Sequence, residues 1–433
     1  MYKFFAPIFL LFVMSACVYK TPQIQAKEQV LKSNQKVYEY EDSYILFALR
    51  AEQLRDFQSA SDIFGLLYDN TAKKEYLYRS LQNDLTIPAF EKVIKRVDEL
   101  AQGGVYDDVL SRMKIVGLLG VRRFFEAKPL ALELFTKTQD ANDALLLSDV
   151  YVQLQEYLSA VEVLESVYLK NYDEKILDRI SLILYVNLQK KEDAISRLEI
   201  HSHMHGCSEL ICLRLAGFYS NNNNIDGLLS VYLRLYEINK DTELAKKIVQ
   251  IYLYKKEPVQ LIAFLESSQS DDDTLLQLYA NMKKYEKAAH VAGKLYKQTG
   301  EASYLGRSAI YKYESSENKN DTVMLKEVIE NLKSVLEQKS DATYLNYLGY
   351  ILIDHDIDIK AGMQYIKQAL VHEPNSSYFL DSLAWGHYKL GECQEADTIM
   401  KRVTNLEGGD NPEVLEHIHA IEKCLKIKKV VNK

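Results

Sequence analysis

The apolar pattern of this chain recurs every 34 residues, and that period limits what the chain can fold into. Three positions stay apolar through three successive copies, namely Tyr151, Tyr185 and Tyr219, then Ala160, Ala194 and Leu228, then Leu164, Leu198 and Tyr232. Within a copy, the apolar residues follow helical spacing on either side of a short break. A period between about 20 and 50 residues indicates units that stack, because one unit alone cannot bury its apolar face.

The clearest pair of copies lies towards the C-terminus. The two copies contain Tyr344-Leu345-Asn346-Tyr347-Leu348-Gly349-Tyr350 and Phe379-Leu380-Asp381-Ser382-Leu383-Ala384-Trp385. Ala369 and Val403 are again 34 residues apart, whereas Leu345 and Leu380 are 35 apart. The first copy therefore carries one extra residue. We expect it in the turn between the two helices of that copy, around Asp354 to Ile359, because loops tolerate insertions.

A 34-residue repeat of paired helices resembles the tetratricopeptide repeat, and the resemblance extends over almost all of the chain after residue 40. It implies an all-α fold, an α-solenoid of about ten stacked tetratricopeptide-like hairpins. Residues 41–340 would form divergent hairpins and residues 341–407 two clear repeats. Residues 408–433 would form a capping helix, from Glu413 to Lys426, and a tail. Small residues such as Gly349 would let helices approach closely, and Gly391 would end its helix in a left-handed cap.

Composition agrees with a helical fold and argues against a nucleic-acid partner. Glycine (17) and proline (7) are scarce among the 433 residues, whereas all-β folds and long loops need more of both. The net charge is −8, and a protein that binds nucleic acid would present a basic face.

The first residues have the features of an exported lipoprotein. Lys3 precedes an almost wholly apolar run, Phe4 to Val13, that is too short to span a bilayer. The run ends in Met14-Ser15-Ala16-Cys17, which resembles a lipobox. The resemblance implies a signal peptide at residues 1–16, lipidation of Cys17 and a lipidated tether at residues 17–40. Val18 stands where the inner-membrane retention signal has aspartate, so we expect the outer membrane, facing the periplasm. An ordinary secretory signal with a chance cysteine is the alternative.

Stacked hairpins would leave a groove lined by the first helix of each pair, which suits an extended peptide or a partner's helix. The residues expected on this strip are Asn346, Tyr350, Asp381, Trp385 and Tyr388. Aromatic side chains dominate protein–protein hot spots, although Tyr350 and Trp385 would also fit between hairpins. Peptide-clamp members of the family hold a terminal carboxylate with Lys and Asn. This chain has Asn346 but Asp381, which departs from that pattern.

Four cysteines besides Cys17 suggest two further hypotheses. Cys393 opens the second helix of its hairpin and Cys424 ends the next helix, so a disulfide between them would pin the terminal helix. Two free thiols are the alternative.

The second hypothesis concerns the string from His201 to Cys207. If this turn is extended, His201, His203 and His205 share one face, and together with Cys207 they suit zinc or copper. A Cys207–Cys212 pair or buried thiols are the alternative.

The chain has no glycine-rich phosphate loop, nucleophile elbow or zinc-protease helix, so we predict a non-enzymatic protein without a cofactor. Its C-terminal motifs resemble those of proteobacterial repeat lipoproteins, some of which dock a periplasmic protease while others help assemble envelope structures. The resemblance implies a lipid-anchored adaptor that binds other proteins and presents substrates to a periplasmic protease or cell-wall enzyme. The alternative is a pilotin-like assembly factor for a secretion or pilus machine.

The lipobox predicts that Cys17→Ser abolishes acylation. Cells grown with labelled palmitate should label the wild-type protein and not the variant. The variant should also move from the membrane to the soluble fraction, because acyl chains supply the anchor. A Cys17→Ser variant that stays with the membrane to the same extent would contradict the lipid anchor.

Overall fold

The computed structural model describes residues 39–431. Within these residues there are 23 α-helices, one π-helical turn and no strand. The chain divides into two compact units between Arg197 and Leu198, a point inside the tenth helix. In each unit, consecutive helices pack side by side as antiparallel pairs, so the predicted all-α fold of stacked hairpins is confirmed.

The first unit contains the helices α1 (Glu41–Gln53), α2 (Phe57–Thr71), α3 (Lys74–Thr86), α4 (Phe90–Gln102), α5 (Asp108–Gly120), α6 (Phe124–Thr138), α7 (Ala141–Gln153), α8 (Tyr157–Asn171), α9 (Glu174–Leu182), the π-helical turn Ile183–Asn187 and the start of α10 (Lys191–His205). The second unit contains the rest of α10 and the helices α11 (Glu209–Asn221), α12 (Ile225–Asn239), α13 (Thr242–Lys255), α14 (Pro258–Ser268), α15 (Asp272–Asn281), α16 (Tyr285–Thr299), α17 (Ala302–Ser315), α18 (Thr322–Gln338), α19 (Ala342–Asp354), α20 (Ile359–His372), α21 (Ser377–Lys389), α22 (Cys393–Val403) and α23 (Pro412–Val431).

The pair α7 and α8 shows how the sequence makes one hairpin. Asp140 precedes α7 and accepts a hydrogen bond from the N–H of Asn142, which satisfies a donor that the helix start leaves free. The two helices have 13 and 15 residues and are separated by three residues. The middle one, Gln155, is left-handed with φ of 61°. The same turn recurs with a left-handed middle residue at Arg55, Arg122, Asn223, Lys283 and Gly391, so the predicted cap at Gly391 is confirmed.

The one-residue insertion lies where the sequence predicts it. Helix α19 ends at Asp354 and α20 begins at Ile359, so their turn has four residues, whereas the turn from Lys389 to Cys393 has three. The longer turn still ends in a cap, because Asp358 accepts a hydrogen bond of 2.9 Å from the N–H of Ala361. The insertion therefore leaves the helices in register and changes only the loop.

Successive hairpins share their helices through overlapping cores. Helix α19 buries Leu348 in a core formed with α17 and α18, and buries Leu345 in the next core, formed with α20 and α21. Helix α21 also serves two cores. It buries Phe379 in the core with α19 and α20, and Leu380 in the last core, where Leu380 packs with Val414 of α23. The predicted capping helix is thus present, from Pro412 to Val431, and it packs against α21 and α22.

Close approach of α19 and α20 depends on glycine. A Cβ atom on Gly349 would lie 2.6 Å from Cγ1 of Ile366 and 2.7 Å from the carbonyl oxygen of Gly362. Backbone cannot move aside as a flexible side chain can, so this contact confirms that Gly349 serves close helix packing.

We predict that Gly349→Ala lowers the free energy of unfolding by about 1–3 kcal/mol, because the added methyl overpacks the crossing. Gly217→Ala is the matched control, since Gly217 is exposed in the interior of α11 and a Cβ there meets nothing within 4 Å. That control should raise the stability by about 0.5–1 kcal/mol, the difference in helix propensity. Urea denaturation of both variants checks this, and shifts in the same direction would contradict it.

Candidate partner-binding site

A pocket of about 700 Å³ opens near the C-terminal end of the second unit; we call it the C-terminal pocket. Three first helices of hairpins line it, contributing Tyr313 from α17, Asn346 and Tyr350 from α19, and Asp381 from α21. The first turn of α23 adds Glu413. This volume falls within the roughly 300–1,000 Å³ of sites that hold ligand groups. The pocket therefore lies on the helices from which the sequence predicts recognition.

The structure brings three of the five predicted groove residues together in this pocket: Asn346, Tyr350 and Asp381. The other two, Trp385 and Tyr388, are not part of its lining. The indole of Trp385 stacks on His417 of α23 at 4.0 Å between ring centroids, and on Tyr388 at 4.7 Å. Trp385 and Tyr388 thus pack between helices, which is the alternative that the sequence leaves open for Trp385.

Asn346 has an unsatisfied acceptor. Its side-chain oxygen Oδ1 is buried and has no hydrogen-bond partner. A buried polar atom left in this way destabilises a fold by about 1–3 kcal/mol, so native structures seldom keep one without a reason. The Asn346 side chain is part of the lining of the C-terminal pocket.

Tyrosine hydroxyls hold two of the carboxylates of the pocket in place. Tyr350 donates to Glu413 over 2.5 Å, and Tyr347 donates to Glu314 over 3.0 Å. Burial, followed by the hydrogen bond to Glu413, raises the pKa of Tyr350 far above its usual value. Burial is also the main cause that raises the pKa of Tyr347 far above its usual value, and the charge of Glu314 is the next. Both hydroxyls therefore stay neutral donors at physiological pH and leave the negative charges uncompensated.

One ammonium outside the lining contacts the pocket, since Lys389 donates to the backbone carbonyl of Asp354 over 2.8 Å, and its charge is paired with Asp356 at 3.0 Å. The indole Nε1 of Trp385 donates to Asp354 over 2.9 Å, which again is a neutral donor. His417 lies 3.0 Å from both oxygens of Asp381 and offsets that charge only when it is protonated. The ammonium of Lys319 donates to the backbone carbonyls of Tyr313 and Glu314. The pocket lining thus carries five carboxylates against one ammonium, namely Glu314, Asp354, Glu373, Asp381 and Glu413 against Lys319.

Several of these residues escape prediction from the sequence. Tyr347 lies three residues before Tyr350 in the quoted motif, so helical spacing alone would have placed it on the same face. Tyr313 and Glu314 belong to α17, which starts at Ala302, 40 residues before the start of α19 at Ala342, so a period of 34 does not reach them. Glu413 meets Tyr350 across 63 residues, and no repeat signal connects the two.

Both cysteine hypotheses involve residues that the structure describes. Cys393 and Cys424 are bonded, with their Cα atoms 6.0 Å apart, which links α22 to α23. Cys207 is bonded to Cys212, so its thiolate is not available to a metal.

The expected extended conformation of the histidine string is wrong. Helix α10 continues through His205, so the ring centroids of His201 and His205 lie 4.8 Å apart, one turn from each other and tilted by 38°. His203 is exposed, two residues from each of them. In the part of the chain that the structure describes, no group of three or more His, Cys, Asp or Glu side chains could hold a metal ion. The predicted metal ligands His201, His203, His205 and Cys207 are therefore not brought together.

The predicted signal peptide, the lipidation site Cys17 and most of the tether lie outside the described residues. None of the described helices combines the length and the apolar character needed to cross a membrane.

No protein-family model and no curated protein sequence matches this chain. Several solved structures do. Cut9–Hcn1 of the APC/C is 10% identical, with 89% of this chain and 96% of that chain covered and a TM-score of 0.42. MamA from Desulfovibrio magneticus RS-1 is 18% identical, with 39% of this chain and 97% of that chain covered and a TM-score of 0.32. Naa15/Naa10 bound to HypK is 11% identical, with 86% and 64% covered and a TM-score of 0.27. Values this low carry no information about partner or activity.

The Cys393–Cys424 bond predicts that α23 loses stability on reduction. Closing a chain segment of 31 residues stabilises a fold by about 3–4 kcal/mol in the loop-entropy model. Hydrogen exchange of the α23 amides should therefore become faster in a Cys393→Ser, Cys424→Ser double variant, while exchange in α12 stays unchanged. Equal protection of α23 with and without the bond would contradict a pinning role.

Proposed function

We propose that this protein is a non-enzymatic scaffold of the bacterial cell envelope that binds another protein through the C-terminal pocket. The observation that carries the proposal is the buried, unpartnered Oδ1 of Asn346 in a lining that is rich in tyrosines and carboxylates. Aromatic side chains beside a group that lacks its hydrogen bond are typical of a site that a partner completes.

The position of the pocket supports a polypeptide partner. It is built from the first helices of consecutive hairpins, α17, α19 and α21, so it lies on the strip that repeat proteins use for binding. Tyr378 lines it and is 57% exposed, which leaves its ring accessible to an incoming chain. An extended peptide or a helix laid along these helices would reach the tyrosines without any rearrangement of the fold.

The polar groups of the pocket do not form a catalytic set. Ser382 donates its proton to the carbonyl of Tyr378, one turn back in its own helix, at 3.0 Å. His417 directs Nδ1 at Asp381 from the neighbouring helix and is buried under Trp385. A serine nucleophile would need the histidine as its partner, so this arrangement favours binding without chemistry.

The proposed location of the protein in the cell envelope rests on its N-terminal sequence. The lipobox ending in Cys17 would anchor the protein in the outer membrane, and the tether at residues 17–40 would hold the helical body away from it, facing the periplasm. In this position the pocket would present a substrate to a periplasmic protease or cell-wall enzyme. A secretion or pilus subunit recovered at the pocket would favour an assembly factor instead.

Photo-crosslinking in living cells tests the proposal without disturbing the core. A photoreactive amino acid at Thr343, which lines the pocket and is exposed, should give one discrete adduct with a partner protein, identified by mass spectrometry. The matched control is Gln368, which is exposed on α20, the second helix of the same hairpin, and should give none. No adduct at Thr343, or the same adduct at both positions, would contradict binding at the C-terminal pocket.

A further inference from the structure

The chemistry of the C-terminal pocket defines its partner more narrowly, an inference that rests on the proposed function. We propose that the occupant is a basic peptide segment, which inserts a lysine or arginine side chain between the tyrosines and the carboxylates. Charge, ring geometry and the supply of hydrogen-bond acceptors each support this occupant.

The charge argument starts from the partners of the carboxylates. Tyr350 donates a hydrogen bond to Glu413 and Tyr347 donates one to Glu314. These hydroxyls orient the carboxylates but do not neutralise their charge. Glu373 is exposed at the rim of the pocket. Lys319 bonds backbone carbonyls. A cleft lined by one sign of charge concentrates the opposite sign, so the pocket attracts a cation.

The rings support the same occupant. Tyr347, Tyr350 and Tyr378 line one pocket, and an ammonium or guanidinium over a tyrosine face is stabilised by the ring quadrupole. One such contact is already present in the lining, where the ammonium of Lys319 lies 4.4 Å from the centroid of Tyr313. Aromatic walls combined with carboxylates suit a positively charged side chain with an apolar stem better than a hydrated ion.

The unpartnered oxygen of Asn346 indicates which hydrogen-bonding groups the occupant carries. It is an acceptor, and so are the carboxylates around it, so an occupant must bring N–H donors. Lysine and arginine side chains are donors only, and the peptide backbone adds further N–H groups. A terminal carboxylate, the ligand of peptide-clamp repeats, would meet the like charges of the pocket carboxylates and would leave Oδ1 of Asn346 without a donor.

Fluorescence anisotropy with the full-length protein in detergent micelles tests the proposal. The probe is a labelled peptide of about ten residues that alternates lysine with alanine and has blocked ends. We expect binding that weakens at high salt. The acetyl-lysine and glutamate versions of the peptide should bind at least about tenfold more weakly, because they lack the cation.

Paired variants locate the site. Glu373→Gln with Glu413→Gln removes two charges from the pocket lining and keeps the acceptor for Tyr350. Glu395→Gln with Glu416→Gln removes the same charge from exposed positions outside the lining. The first pair should weaken binding about tenfold and the second less than about twofold. Equal losses would place the peptide elsewhere and overturn the proposal.

Asn346→Leu separates binding from folding. The substitution removes the unsatisfied acceptor while keeping the side-chain size, so the thermal midpoint should rise or stay constant while peptide binding weakens. Unchanged binding in this variant would overturn the role of Asn346. Spermine binding as tightly as the lysine peptide would show that the pocket recognises ammonium without a peptide, which contradicts the proposal.

Failure of this inference is distinguishable from failure of the proposed function. If the lysine peptide does not bind but Thr343 still captures a partner protein, the scaffold function stands and the basic segment is wrong. If Thr343 captures nothing, the scaffold function itself loses its site.

Discussion

Each hairpin of this protein has an apolar face that only its neighbours can cover, and the rest of the structure depends on that requirement. Helix α19 serves two cores at once, with Leu348 turned to one and Leu345 to the next. Contacts are therefore local along the chain, and a site can be built only where neighbouring first helices come side by side. The C-terminal pocket is such a place, and its tyrosines are positioned by the same packing that stabilises the fold.

Helix α23 has two roles in this arrangement. Its apolar residues close the last core, as Val414 packs with Leu380, and its polar residues complete the pocket. Glu413 accepts from Tyr350, and His417 is held between Asp381 and the indole of Trp385. The cap that ends the stack thus also supplies one of the five carboxylates of the pocket, so this helix serves both stability and recognition.

The period of the sequence predicts the hairpins, the longer turn after Asp354 and the terminal helix, because these follow from apolar spacing and length. It predicts less of the site. Asn346, Tyr350 and Asp381 are found by projecting one helix face, whereas Glu413 reaches the pocket through tertiary packing that no local pattern encodes. The extended conformation expected of the histidine string is wrong, because α10 continues through His205 and the apolar period does not mark where this helix ends. The left-handed turn positions also cannot be recognised from the sequence, because non-glycine residues such as Gln155 occupy most of them.

The position of α23 has a consequence for how such a chain can evolve. His417 contacts Asp381 and follows it by 36 residues, a spacing close to the 35 residues between Asn346 and Asp381. Helix α23 therefore stands where the first helix of another hairpin would stack. The bond between Cys393 and Cys424 fixes it there. A duplicated repeat added after α22 would displace this helix, and Glu413 with it. Lineages that change the number of repeats are therefore expected to gain or lose them upstream of α17, where the pocket is not disturbed.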